Sequence, residues 1–135
     1  MGRKKNDGSR PDHKGRTVLL LDGDEAFRAA TCRILHLHGF RTLEAGDAAG
    51  ALALLEAHPE PIHLVLCDLI LPGLGGREAA IALLARRPEA AVVYTSGVSS
   101  HDSFRVALAH EGASLLSKPW EVPELLEAIR RALDR

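Results

Sequence analysis

The stretch Leu64-Val65-Leu66-Cys67-Asp68-Leu69-Ile70-Leu71-Pro72-Gly73-Leu74-Gly75-Gly76 decides how the chain is read. Its first four residues are apolar, with no polar alternation. That is the pattern of a strand buried on both faces of a parallel sheet. A carboxylate does not belong inside such a run. It is tolerated at the carboxyl end, where the strand reaches solvent and where open α/β sheets bind ligands. Asp68 stands at that end. Gly73, Gly75 and Gly76 after it serve the backbone of a loop. The segment lacks the Lys and Ser/Thr of a phosphate-binding P-loop.

Outward from this strand, strand and helix signals alternate. Upstream, Thr17–Asp22 repeats the buried pattern and again ends in an acid. Asp24–His38 follows with Phe27, Ala30, Ile34 and Leu35 or Leu37 at helical spacing, and Gly39 is placed to end it. Phe40–Glu44 reads as a short second strand. Asp47 caps a helix to about Ala57, with Ala48, Leu52 and Leu55 inward, ended by His58-Pro59. Ile62–Asp68 is the third strand. Downstream come a helix over Gly76–Arg87 stopped by Pro88, and a fourth strand over Ala91–Thr95. A fourth helix from Ser100 or Asp102 to about His110 ends at Glu111-Gly112. A fifth strand, Ala113–Leu116, precedes a last helix over Pro123–Leu133 with Leu125, Leu126, Ile129 and Leu133 on one face. Five strands alternating with five helices imply an α/β, flavodoxin-like, doubly wound parallel sheet. Its expected strand order is 2-1-3-4-5, which puts the switch point between strands one and three. Asp22 and Asp68 end those two strands and should share one crevice.

Composition agrees with a single globular domain. The 135 residues suffice for one core, and a hydrophobic content of 46% can fill it. Aromatics are only 4%, so the core must be mostly aliphatic. Charge is uneven: residues 1–16 carry +4 and the remainder -5. Residues 1–15 hold no Val, Leu, Ile or aromatic, so they read as a disordered basic arm before a domain over 16–135. Such an arm is more often a solvated tail than a nucleic-acid contact. Cys32 and Cys67 have neither metal-ligand nor disulfide-framework spacing and read as buried free thiols of a cytoplasmic protein. No apolar run approaches the roughly 18 residues of a membrane span. The histidines form no ligand pair: His36 and His38 are two apart on a helix and face different sides. Arg86-Arg87 and Arg130-Arg131 read as solvated helix ends.

Four strand ends converge on the crevice. They bring Asp22-Gly23-Asp24-Glu25, Asp68, Thr95-Ser96 and Lys118-Pro119. Two facing carboxylates repel, and a hard divalent cation such as Mg²⁺ bridges them naturally, with oxygen ligands and retained waters. Lysine offers a point charge to a phosphoryl group, and a Thr hydroxyl offers a hydrogen bond. A carboxylate nucleophile, a metal, a lysine and a hydroxyl are the parts for phosphoryl transfer onto an aspartate.

From about Thr17 to Leu133 these residues resemble the receiver domains of two-component response regulators, including those attached to hybrid histidine kinases. The resemblance rests on the acidic loop Asp22–Glu25, Asp68 with Leu71-Pro72 and Gly76, Thr95-Ser96, and Lys118-Pro119 preceded by Gly112-Ala113. It implies that Asp68 accepts a phosphoryl group from a phosphohistidine of a histidine kinase or phosphotransfer protein. It further implies that Lys118 pairs with Asp68, and that Thr95 and Ser96 meet the phosphoryl. Mg²⁺ would be held by Asp22, Asp68 and the backbone carbonyl of Ile70, with Asp24 or Glu25 as further candidates. Output would pass to a protein partner through the fourth helix, fifth strand and last helix. No DNA-binding domain, membrane segment or turnover of an external substrate is expected. Three positions depart from the family pattern. Gly23 stands where a second, metal-binding acid is usual. Leu115 replaces the usual aromatic switch residue, and Trp120 the usual Phe. Gly23 and Leu115 keep a second reading open, a pseudo-receiver that binds partners with impaired Mg²⁺-dependent phosphorylation. A small flavodoxin-like nucleotide-binding enzyme is the third, opposed by the lack of GxGxxG after the first strand.

Overall fold

Alternation along the strands explains the architecture. In the computed structural model, which describes residues 13–73, 75–97 and 114–135, β1 (Thr17–Leu21) is buried at every position. In β3 (Leu64–Asp68) every residue but Asp68 is buried. Successive side chains of a strand point to opposite faces. Leu19, Leu21, Val65 and Cys67 therefore join one core, with Ala51 and Leu55 of α2 (Ala48–Ala57) and Ala79, Ala80 and Leu83 of α3 (Gly76–Arg86). Val18, Leu20, Leu64 and Leu66 join the other, with Cys32 and Leu35 of α1 (Glu25–Leu37) and Leu125, Ile129 and Ala132 of the last helix, α4 (Val122–Leu133).

With β2 (Arg41–Ala45), β4 (Ala91–Ser96) and β5 (Ser114–Ser117), the sheet has the order β2-β1-β3-β4-β5 and is parallel throughout. This is the expected 2-1-3-4-5 order. Leu21 pairs with Cys67, so the next residues along, Asp22 and Asp68, leave the sheet side by side. By the same alternation both belong to the α1/α4 face. Asp68 pairs with Thr95 on β4.

Helix ends follow their sequence signals. Asp24 caps α1 by accepting the Phe27 N–H at 3.1 Å, and Asp47 caps α2 by accepting the Gly50 N–H at 2.8 Å. Gly39 closes α1 with φ +90°, a backbone region that favours glycine.

Several details differ from the sequence reading. The buried face of α1 is Thr31, Cys32 and Leu35; Ala30 is exposed and Leu37 is 78% exposed. Of the expected positions Leu35 is buried and Phe27 and Ile34 are half-buried, while Thr31 and Cys32 take the places next to the sheet that Ala30 and Leu37 do not. On α2 the most buried alanine is Ala51, not Ala48. Arg87 is no solvated helix end. Its guanidinium donates to the carbonyls of Leu55 (3.0 Å), Glu60 (2.9 Å) and His58, closing the carboxyl end of α2. His13 Nε2 lies 2.8 Å from Asp134 Oδ1, and the Gly15 N–H donates to the Gly39 carbonyl at 2.7 Å. The expected helix from Ser100 or Asp102 to His110, the Gly112-Ala113 pair and arm residues 1–12 lie outside the described residues.

Candidate functional site at the carboxyl end of the sheet

The site is built by strand ends. Asp22 follows β1 and is only 1% exposed. Its Oδ1 accepts the Asp24 N–H at 2.9 Å. Its backbone carbonyl accepts from Arg28 Nη1 at 2.7 Å, while Arg28 Nε holds Glu44 at 3.0 Å. Arg28 thus ties the acidic loop to α1 and β2. Asp68 ends β3, and its Oδ1 accepts the Ile70 N–H at 3.1 Å. Lys118 follows β5, its backbone N–H held by the Ser96 carbonyl at 2.6 Å, and the Lys118-Pro119 peptide is cis.

The lysine joins the two acids. Its Nζ lies 2.9 Å from Asp22 Oδ2 and 3.0 Å from Asp68 Oδ2. Burial alone would lower the Lys118 pKa. The hydrogen bonds and charges of Asp22 and Asp68 outweigh it and hold the pKa above its ordinary value. The ammonium is therefore charged throughout the physiological range. One cation between two carboxylates leaves an excess negative charge, which suits the site to a further cation.

The Cys67 thiol behind Asp68 is pushed up to about 12, first by burial and then by the Asp68 and Asp22 charges. It remains protonated and donates weakly to the Gly76 carbonyl at 3.4 Å. It is not a nucleophile. Gly76 itself cannot be replaced: a Cβ there would collide with the Asp68 carbonyl. Its N–H donates to the Leu69 carbonyl at 2.9 Å, so α3 begins in contact with the backbone of the acid.

The geometry brings Asp22, Asp68 and Lys118 together as the sequence predicts. Thr95, 3% exposed, sits at the level of Asp68, and its carbonyl accepts the Leu69 N–H at 2.9 Å. Ser96, also 3% exposed, follows it. Asp24 holds the helix terminus with its carboxylate, and Glu25 lies exposed in the first turn of α1. A Cβ on Gly23 would lie 3.2 Å from the Pro72 Cδ. Leu115 pairs with Tyr94 on β4.

Two neighbours escaped the sequence reading. Arg28 carries no sequence signal of its own, and Phe27 reads only as one of the apolar residues at helical spacing. The Phe27 ring centroid is 4.3 Å from Lys118 Nζ, and its ring meets that of Trp120 at 5.5 Å. Asp24 at the cap was the signal for Phe27: it starts α1 so that its first turn overhangs the crevice.

Asp22 and Asp68 offer carboxylate oxygens, which fit a hard cation such as Mg²⁺. Among the described residues no group of three or more His, Cys, Asp or Glu is gathered. A two-carboxylate set still matches the ion that keeps most of its waters.

Comparison with known proteins agrees with this arrangement. The profile of the response regulator receiver domain matches residues 18–130. The chain is 30% identical over 122 residues to the hydrogenase transcriptional regulatory protein HoxA of Cupriavidus necator, covering 90% of this chain and 25% of that protein. It is 31% identical over 119 residues to the sensory transduction protein RegX3 of Mycolicibacterium smegmatis, covering 88% of this chain and 51% of that one. The chain thus spans no more than about half the length of these curated relatives. A CheY-like receiver domain protein of Methanospirillum hungatei superposes with a TM-score of 0.77 at 30% identity, covering 90% of this chain and 95% of that one. Such domains are generally signalling modules rather than enzymes. They bind Mg²⁺ for phosphorylation and interact with histidine kinases or phosphotransfer proteins. The fold, the strand-end cluster and the matched profile agree, and the chain belongs to the response regulator receiver domain family.

Proposed function

We propose that this domain accepts a phosphoryl group on Asp68 from a phosphohistidine of a histidine kinase or phosphotransfer protein. It then signals through contacts with a protein partner. The observation that carries the reading is the Lys118 ammonium, within 3.0 Å of both Asp22 and Asp68. An Asp68 carboxylate oxygen attacks phosphorus. The new O–P bond forms as the N–P bond to the donor imidazole breaks, and the imidazole nitrogen leaves with the electron pair. Lys118 keeps its proton and offers its charge to the phosphoryl oxygens. The Ile70 N–H steadies the other Asp68 oxygen. Thr95 and Ser96 supply hydroxyls to the transferred group. Asp22, Asp68 and the Ile70 carbonyl would hold Mg²⁺, which would offset the negative charge of the carboxylates and the phosphoryl group. Asp24 is assigned to the helix cap rather than the metal. The domain turns over no external substrate and acts in the cytosol, where Cys32 and Cys67 remain thiols.

The test is intact mass after incubation with a small phosphodonor. We expect a gain of one phosphoryl group that requires both Mg²⁺ and Asp68 and is absent from Asp68→Asn. No gain, together with no response of Trp120 fluorescence to Mg²⁺, overturns the reading in favour of a binding module that has lost phosphorylation.

A further inference from the structure

We propose that Phe27 is a positioning residue whose ring, braced by Trp120, holds the Lys118 ammonium where it reaches both carboxylates. The proposal rests on the phosphoacceptor reading above. Lys118 Nζ lies 4.3 Å from the Phe27 ring centroid. An aromatic face is negative and attracts a cation at this distance. Lysine is a compact charge on a flexible stem. Asp22 and Asp68 draw that charge from two sides, and the ring closes a third.

Phe27 is itself held from three directions. Its N–H donates to Asp24 Oδ1 at 3.1 Å, and its carbonyl accepts the Thr31 hydroxyl at 2.9 Å. Trp120 meets its ring edge-on, with planes at 67°. The indole packs on the core beneath α1 and α4. Its Nε1 is buried with no hydrogen-bond partner among the described residues. Leaving such a group unpaired is unfavourable. Packing against the core and Phe27, not a polar contact, therefore keeps the indole in place.

A ring suits the task better than a third carboxylate. During transfer the ammonium must move from an Asp68 oxygen toward a phosphoryl oxygen. A hydrogen-bond acceptor would resist that shift because its attraction is directional. A ring face attracts the charge over a broad area, so the ammonium can translate while remaining held.

The experiment uses the full chain with phenylalanines of increasing fluorine content at position 27. Fluorine drains the negative face while nearly preserving shape. Phosphorylation by a small phosphodonor with Mg²⁺ should slow stepwise, reaching about fivefold for the fully fluorinated ring. Phe27→Tyr should retain the rate, and thermal midpoints should stay level across the series. In the unaltered protein the ring current should shift the Lys118 ε-methylene protons upfield, and Phe27→Leu should abolish that shift. Equal rates through the fluorine series, or an unshifted ε-methylene in the unaltered protein, overturn the proposal. A protein with the shifted methylene that takes no phosphoryl group on Asp68 overturns the phosphoacceptor reading instead.

Discussion

Two cations close the two ends of this sheet, and they do opposite things. At the amino end, Arg87 donates to backbone carbonyls among the described residues, those of Leu55, Glu60 and His58. Those acceptors are neutral, so the contact fixes chain geometry and gathers no charge. At the carboxyl end, Lys118 donates to two carboxylates from different strands. Those acceptors are charged, and a single cation does not neutralise them. The first arrangement is complete in itself; the second is built to receive something. Nearby polar groups follow the same division. His63, at the amino end, accepts the Thr17 N–H through Nδ1 at 2.9 Å. Burial first, and then the Arg16 charge, hold its pKa below the ordinary value, so it stays neutral. A cavity of about 370 Å³ opens beside it, with Arg16, Glu89 and Leu133 in its wall. Glu89 is the one acidic side chain among the described residues of its wall.

The contrast is sharpest under substitution. Lys118→Met should slow phosphoryl uptake by roughly a hundredfold, the scale of losing one preorganised charged donor. Arg87→Met should leave uptake within about twofold, yet lower unfolding free energy by ~2 kcal/mol, because it orphans partly buried carbonyls. Uptake rates and urea unfolding on both variants decide this. Equal slowing would mean that the two ends are not separable. A subtler probe is Gly23→Asp, which adds a third acid to the carboxyl end. Mg²⁺ should bind about tenfold more tightly, as affinity follows the count of charged ligands. Trp120 emission is the readout, and an unchanged titration would remove Gly23 from the metal question. The added Cβ, 3.2 Å from Pro72, asks the loop to move by a few tenths of an ångström.

The smallest effect is expected where His13 meets the end of α4. A hydrogen bond from His13, then one from Arg130, holds the Asp134 carboxyl below its ordinary pKa of 3.8. A group depressed in the folded state stabilises above its unfolded pKa, and the benefit disappears as pH falls through the folded value. Urea midpoints of the native chain and Asp134→Asn should therefore differ at neutral pH and draw together as pH falls below about 4. A gap that persists in acid would assign the contact to something other than charge.

Much of this was legible in the residues. Strand order followed from buried runs at short spacing. The crevice followed from acids at the ends of the two strands that flank the switch point. Register turned those two observations into contact: once Leu21 meets Cys67, Asp22 and Asp68 must be neighbours. Short-range chemistry was equally readable, as with Asp47 at the start of α2. What escaped depends on distant backbone. Arg87 looks like any helix-end arginine until α2, some 30 residues earlier in the chain, delivers its carbonyls (Leu55 is 32 residues away). Leu35 and Leu37 both fit the apolar period of α1, and only docking shows that Leu35 and the polar Thr31 are the ones buried. Phe27 fits that period too, which concealed its second contact with Lys118.

Gly76 sets how this site can vary. Any side chain there strikes the Asp68 carbonyl, and the Gly76 N–H is tied to Leu69, so the loop between them is strung between two fixed posts. Ile70, 71% exposed, can be exchanged freely along that span. Lengthening the span would dislodge the start of α3 from the acid. Change at this loop is therefore expected by substitution at constant length, and insertions belong elsewhere.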